Sequence, residues 1–452
     1  MHNPDLVAEL KRIVGYDHVL TEPSLRAGYE ADWTGRYRGE AVAVVRPGGP
    51  EEIAEIVRVC RTARIPLVPQ GGNTGLVGGG VPRDGAVLLS LGRLTDIEPV
   101  DMDGMAVVAA AGATLAAVRR AANDAGFAYG VDLAARDSAT IGGTIATNAG
   151  GIHVFRNGMT RDQLLGIEAV MGDGTIVSRL DAPRKDNTGY ALAQLLAGSE
   201  GTLGIVTAAR LRLLPRLDRR VAAFIGVSGM DEVVAIARQL RRRVPSLDAA
   251  EVIMADALDL AVRHGADRPL PERHAAYLLV EVAGVRDPEP DLLSALAAID
   301  GAGDAVVAAD SAARERLWRL REHLPEAISR EGVSHAIDVA FPLGQLAAVV
   351  ERLPATIEAA APGATTIVFG HLLDGNLHIN VLGPGPDDPA VDDAVLGLAL
   401  ELGGTVSAEH GIGVAKAAWL THDRSPGDLA AMRSIKRALD PDGILNPGVL
   451  LG

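Results

Sequence analysis

The strongest constraint on this chain is a pair of glycine-rich segments, each following a short apolar run. The first, Pro69-Gln70-Gly71-Gly72-Asn73-Thr74-Gly75-Leu76, continues through Val77 to Gly78-Gly79-Gly80. The second runs from Ser138 through Thr140, Gly142, Gly143 and Asn148 to Gly151. Successive residues without Cβ bulk let backbone N–H groups converge on an anion. Neither segment is G-x-G-x-x-G, and neither carries the lysine of a P-loop. A Rossmann turn and nucleotide hydrolysis are therefore disfavoured. One such segment is as readily a turn-rich barrel corner. Two in one domain imply a single extended ligand with phosphates.

With 452 residues, 48% hydrophobic and 22% charged, the chain can bury large cores in about two to three domains. A net charge of −15 without a basic block argues against nucleic acid as a partner. Cys60 is the single cysteine. It excludes an internal disulfide, a cysteine zinc site and a four-cysteine iron–sulfur cluster within this chain, and reads as a small core residue. No apolar run reaches the ~18 residues of a membrane span, and the first residues lack a signal-peptide pattern, so the expected location is cytoplasmic.

Apolar runs at 41–46, 65–68, 87–89 and Ala106–Ala110 read as strands, with helices at Pro50–Ala63 and 114–125. The 138–151 segment reads as a loop. From 202 to 214 the chain is mostly extended and closes at Pro215. Beyond Arg216, strand and helix patterns alternate as in a split β-α-β layer. Residues 311–330 read as one amphipathic helix kinked at Pro325. The expected class is α+β in three stretches: 1–216, 217–405, and 406–452, the last returning to the first domain to complete the site.

Residues 369–380 form a second constellation. Asp374-Gly375 separates two apolar runs and reads as a hairpin turn, with His371 and His378 near its mouth. Imidazoles on paired strands can share a cation. Glu409, in Ser407-Ala408-Glu409-His410-Gly411, offers a carboxylate, and two histidines with one carboxylate form an open Zn²⁺ or Fe²⁺ set. Turn and core histidines are the plainer alternative.

Several of these motifs occur together, in this order: Gly71-Gly72-Asn73-Thr74-Gly75, Thr140-Ile141-Gly142-Gly143, Asn148-Ala149-Gly150-Gly151, Gly198-Ser199-Glu200-Gly201-Thr202-Leu203-Gly204-Ile205, Gly370-His371 with Asp374-Gly375-Asn376-Leu377-His378, Glu409-His410-Gly411, and Asn446-Pro447-Gly448. Together they resemble the FAD-linked oxidase family with a vanillyl-alcohol-oxidase (PCMH-type) flavin domain. The branch resembled is that of the D-2-hydroxyacid dehydrogenases, acting on D-2-hydroxyglutarate, D-lactate or glycolate. The resemblance implies a two-subdomain FAD-binding domain, an α+β cap domain for substrate, and a C-terminal return segment.

It further implies that Pro69, Gly71, Gly72, Asn73, Thr74, Gly75 and Leu76 hold the FAD diphosphate. Ser138, Thr140, Gly142, Gly143, Asn148 and Gly151 would line the cofactor. Glu200, Gly204 and Ile205 would run beside adenine and ribose, and Asn446 would lie near the isoalloxazine. His153 does not match a covalent attachment motif, so FAD is expected to be non-covalent. His371, His378 and Glu409 are implied ligands of Zn²⁺ or another divalent metal, with His410 as general base, Arg321 as the substrate-carboxylate clamp and Asn380 as a polar positioner. The implied reaction oxidises a D-2-hydroxy acid to the 2-oxo acid by hydride transfer to flavin N5. Electrons would pass to an electron-transfer flavoprotein, quinone chain or cytochrome. A homodimer is a family-based expectation.

Two positions depart from the 2-hydroxyglutarate pattern: Pro325 replaces a family threonine and Ala336 a family lysine. A distal carboxylate left poorly paired costs about 1–3 kcal/mol, which favours a monocarboxylic substrate such as D-lactate. D-2-hydroxyglutarate, with His335 compensating, stays open. So do an O₂-using flavin oxidase of another alcohol and a metal hydrolase without flavin.

Overall fold

The structure is a computed structural model that describes residues 4–83 and 85–451. It divides into two compact units. The first comprises the described residues up to Gly150, Gly158–Pro215 and those from Glu409 onward; the second comprises Gly151–Asn157 and Arg216–Ala408. No helix among the described residues is long and apolar enough to cross a membrane.

Among the described residues, the first unit contains two sheets. One orders its strands Val19–Leu20, Ala43–Val45, Val87–Ser90 and Leu67–Gln70. The last three run parallel, with Leu67 opposite Val87 and Gln70 opposite Ser90. The helix Pro50–Ala63 covers this sheet. Proline opens it, Glu51 and Glu52 sit in its first turn, and Arg64 closes it at φ 54°. Its buried positions Ile53, Ile56, Val57 and Cys60 recur at helical spacing, and the core strands supply Val45, Leu67, Val87 and Leu89. The other sheet is antiparallel and built around the long strand Gly204–Pro215, flanked by Ala106–Ala110 and Leu164–Met171.

The 138–151 segment departs from the loop expected of it, because Ile141–Thr147 is a helix. Thr140 caps it by accepting the Gly143 N–H at 3.3 Å, and Asn148 ends it at φ 51°. Ile141 and Ile145, one turn apart, are fully buried. That packing overrides the poor helix propensity of Gly142-Gly143 and the threonines. Gly142 is required there: a Cβ would lie 2.7 Å from the Ala111 Cβ.

The second unit is a seven-stranded antiparallel sheet among the described residues. Its order is Ala305–Ala308, Arg219–Val227, Ala276–Gly284, Leu247–Met254, Thr365–His371, Asn376–Leu382 and Ser334–Ala340. Helices Ala255–Arg263, Ser311–Glu322 and Leu324–Glu331 contribute to one apolar cluster with Phe224, Tyr277, Trp318 and Phe369. The expected kinked helix is two helices broken at His323. Pro325 lies in the first turn of the second, where its missing N–H has no helical partner to lose.

The segment Gly151–Asn157, expected within the first domain, packs with the second unit. There Asp248 lies 3.3 Å from His153 Nδ1 and 3.0 Å from the Arg156 guanidinium. The return to the first unit begins at Glu409, slightly beyond the expected residue 406.

Candidate active site

Register places the chemistry of the second unit on one sheet face. Opposed residues of antiparallel strands share a face, and successive residues alternate. His371 is opposite Glu251, Phe369 is opposite His378, and His378 is opposite Asp338. Asn380 is opposite both Ile367 and Ala336. The hairpin is therefore as the sequence implied, closed by the short helix Leu372–Asp374 and by Gly375 at φ 71°. The His371 and His378 rings meet edge to face with centroids 5.1 Å apart.

Each imidazole is backed by a carboxylate. Glu251 Oε1 lies 2.6 Å from His371 Nδ1, and Asp338 Oδ1 lies 3.4 Å from His378 Nδ1. Asn376, by sequence either a polar positioner or a turn residue, donates to Asp338 Oδ1 at 2.8 Å and to the Val339 carbonyl at 3.0 Å. Asp338 Oδ2 also accepts the Ala408 N–H at 3.1 Å. The next residue is Glu409. Imidazoles backed by carboxylates are typical of metal-ligating histidines, and within this unit Asp338 and His378 bring possible ligand atoms within 4.8 Å of each other, in a group that does not include His371.

Arg321 is buried, and its Nε donates to Glu251 Oε2 at 2.7 Å. Its guanidinium lies 4.4 Å from the centre of the Phe369 ring. Burial alone would push the Glu251 carboxyl up, but His371 and Arg321 pull it below the ordinary carboxylate range. Asn380 is buried and its side chain makes no hydrogen bond among the described residues. His335 is fully buried on the other face, bonded to Asp392 and the Gly385 carbonyl. It therefore does not compensate for Ala336. Sequence reasoning missed Glu251. The available signal was a carboxylate within a strand of apolar residues.

In the first unit the two glycine segments meet. A Cβ on Gly72 would sit 1.8 Å from the Ser138 carbonyl oxygen, and one on Gly71 would sit 2.3 Å from Thr140 Oγ1. Asn73 adopts φ 54°, and its side-chain amide donates to the Ala31 carbonyl at 2.7 Å. Asn446 ties the segment to Gly198–Ile205 by donating to the carbonyls of Gly79 and Glu200 at 3.0 and 2.8 Å. Ile205 is a core side chain, so only its backbone is open to a ligand role. Gly204 pairs with Met171.

Glu200 does something the sequence did not indicate. Both oxygens are occupied, accepting the N–H groups of Ile412 and Gly413 at 2.8 and 2.7 Å. It clamps the loop that begins at Glu409-His410. Burial pushes its carboxyl above the ordinary range, and the two N–H donors and Lys416 offset this only in part.

Comparison with known proteins settles the family. Residues 217–450 match "FAD linked oxidases, C-terminal domain", and residues 41–179 match "FAD binding domain". This chain belongs to the FAD-linked oxidase family. A Xanthomonas citri pv. viticola relative named D-2-hydroxyglutarate dehydrogenase is 37% identical over 98% of this chain and 96% of its own. The mitochondrial D-2-hydroxyglutarate dehydrogenase of Bos taurus is 37% identical over 99% and 83%. A solved structure of p-cresol methylhydroxylase with substrate bound superposes with a TM-score of 0.80 at 17% identity, over 99% of this chain and 96% of that one. That likeness concerns the fold, which is of the vanillyl-alcohol-oxidase type. The FAD-linked oxidase assignment agrees with the first unit's geometry: the glycine segments approach each other so closely that neither Gly71 nor Gly72 has room for a Cβ.

Proposed function

We propose that this family member is a dehydrogenase that oxidises a D-2-hydroxy acid to its 2-oxo acid, with D-2-hydroxyglutarate as the substrate. The observation that carries the reading is the full-length similarity to proteins of that name. The buried His371, His378 and Asn380 on one sheet face, with the buried helical Arg321 bonded to Glu251 of the same face, support it.

The chain's residues divide the work. Gly71, Gly72, Asn73, Thr74 and Gly75 would hold the diphosphate of FAD, which is non-covalent on the reading that His153 matches no attachment motif. FAD supplies the acceptor for the two electrons leaving the substrate C2–H bond. His371, His378 and Glu409 would hold a divalent cation, Zn²⁺ by donor type, which would polarise the substrate hydroxyl. Arg321, fixed through Nε, offers its terminal N–H groups to a carboxylate. Asn380 offers an unused amide to a substrate oxygen. His410 takes the hydroxyl proton.

The relatives move the substrate away from the D-lactate expected from Pro325 and Ala336. A small residue at 336 removes one charge but leaves Arg321 and Asn380. One observation still favours a monocarboxylic substrate: Ala336 faces Asn380 with no compensating cation from His335. A panel of D- and L-2-hydroxy acids with a dye acceptor, with and without chelator, separates the two. The highest kcat/KM is expected for D-2-hydroxyglutarate. A tenfold or greater preference for D-lactate would restore the monocarboxylic reading.

A further inference from the structure

Glu251 lies on a central strand of the second unit's sheet and has no solvent exposure. Its two oxygens are divided between two different functional elements. Oε1 accepts from His371 Nδ1 on the neighbouring strand, and Oε2 accepts from Arg321 Nε on a helix packed over the face. Accepting from Nδ1–H selects the neutral imidazole tautomer whose lone pair is on Nε2. Accepting from Nε fixes the plane of the guanidinium and leaves its terminal N–H groups for another acceptor. The Phe369 ring beneath that guanidinium also touches His378, with centroids 5.2 Å apart. One carboxylate thus sets the orientation of the hairpin histidine and the arginine clamp together.

We infer that Glu251 is the positioning residue that couples the cation-binding histidine to the substrate-binding arginine, an inference that rests on the reading of His371 as a metal ligand. A purely stabilising ion pair would hold the helix on the sheet without selecting a tautomer. Trp318, one turn before Arg321, provides the contrast. Its Nε1–H donates to Glu281 at 2.8 Å, anchoring the same helix to the same face.

The test uses full-length, FAD-loaded protein stripped of metal, titrated with Zn²⁺ against a chromogenic chelator, without turnover. Glu251→Gln is expected to weaken Zn²⁺ binding by about 10–100-fold, and Trp318→Phe to lower thermal stability while leaving Zn²⁺ affinity unchanged. Equal weakening by both variants would overturn the inference, since any loosening of the helix would then suffice. Zn²⁺ binding lost in His371→Ala but intact in Glu251→Gln would overturn it alone. No Zn²⁺ binding by the wild type would overturn the metal reading and this inference with it. Should Glu251→Gln not fold, ¹⁵N-histidine NMR of the metal-free wild type decides: an Nδ1–H tautomer at His371 is expected, and an Nε2–H tautomer overturns the inference.

Discussion

The two units build their functional surfaces from different material. In the first, Gly71 and Gly72 approach Thr140 and Ser138 too closely for a Cβ of their own, and both oxygens of the buried Glu200 accept main-chain N–H groups. In the second, strands of ordinary geometry carry a buried row of charged and amide side chains, and Glu251 meets two side-chain N–H groups, those of His371 and Arg321. Backbone recognition suits a cofactor that stays. Side chains with distinct donors and acceptors suit a substrate that must be chosen and released. The same residue type accordingly behaves in opposite ways: Glu200 is pushed up by burial, whereas Glu251 is pulled down by its partners.

The sharpest way to break this division is to damage each side separately. His371→Ala and Glu409→Ala should lower turnover on the order of a thousandfold with flavin content unchanged, read by the visible spectrum and steady-state rate. Gly72→Ala should do the reverse to the cofactor. Its Cβ has no room beside Ser138, overpacking costs about 1–3 kcal/mol, and the flavin-to-protein ratio should fall. Flavin loss in His371→Ala, or normal flavin in Gly72→Ala, would dissolve the distinction.

A smaller effect is expected at the clamp. Arg321→Lys keeps a charge but loses the planar fork, so kcat/KM should fall about ten- to a hundredfold, chiefly through KM. A loss confined to kcat would place Arg321 elsewhere in the cycle. The smallest effect lies in stability against pH. Glu251 has a lowered folded pKa, so its stabilisation is present above the ordinary value of 4.5 and is lost as pH falls through the folded value. Glu200 has a raised one, so its contribution is full below 4.5 and declines as pH rises. Urea midpoints followed from neutral pH into the acid range below 4.5 should therefore show the cost of Glu251→Gln shrinking in acid and that of Glu200→Gln growing there. Parallel profiles would remove the contrast.

Much of the first unit was legible because its signals are local. Glycines at 71 and 72 mark a close approach that leaves no room for a Cβ, and asparagines at 73 and 446 mark left-handed backbone conformations that few other residues adopt. The hairpin was legible for the same reason, through Asp374-Gly375. The Ile141–Thr147 helix was not, since long-range burial of Ile141 and Ile145 outweighs a sequence that locally reads as loop. Glu251, Asp338 and the clamp role of Glu200 were hidden for a related reason. A lone carboxylate in a strand looks solvent-facing until the fold brings cations or N–H donors to it.

The central claim is that this chain oxidises a D-2-hydroxy acid at the expense of its flavin. Anaerobic mixing of the purified yellow protein with D- and L-2-hydroxyglutarate tests it most directly. The account predicts bleaching of the flavin's visible band by the D enantiomer alone, lost in Arg321→Ala. Bleaching by the L enantiomer at a similar rate, or none with any D-2-hydroxy acid, would contradict it.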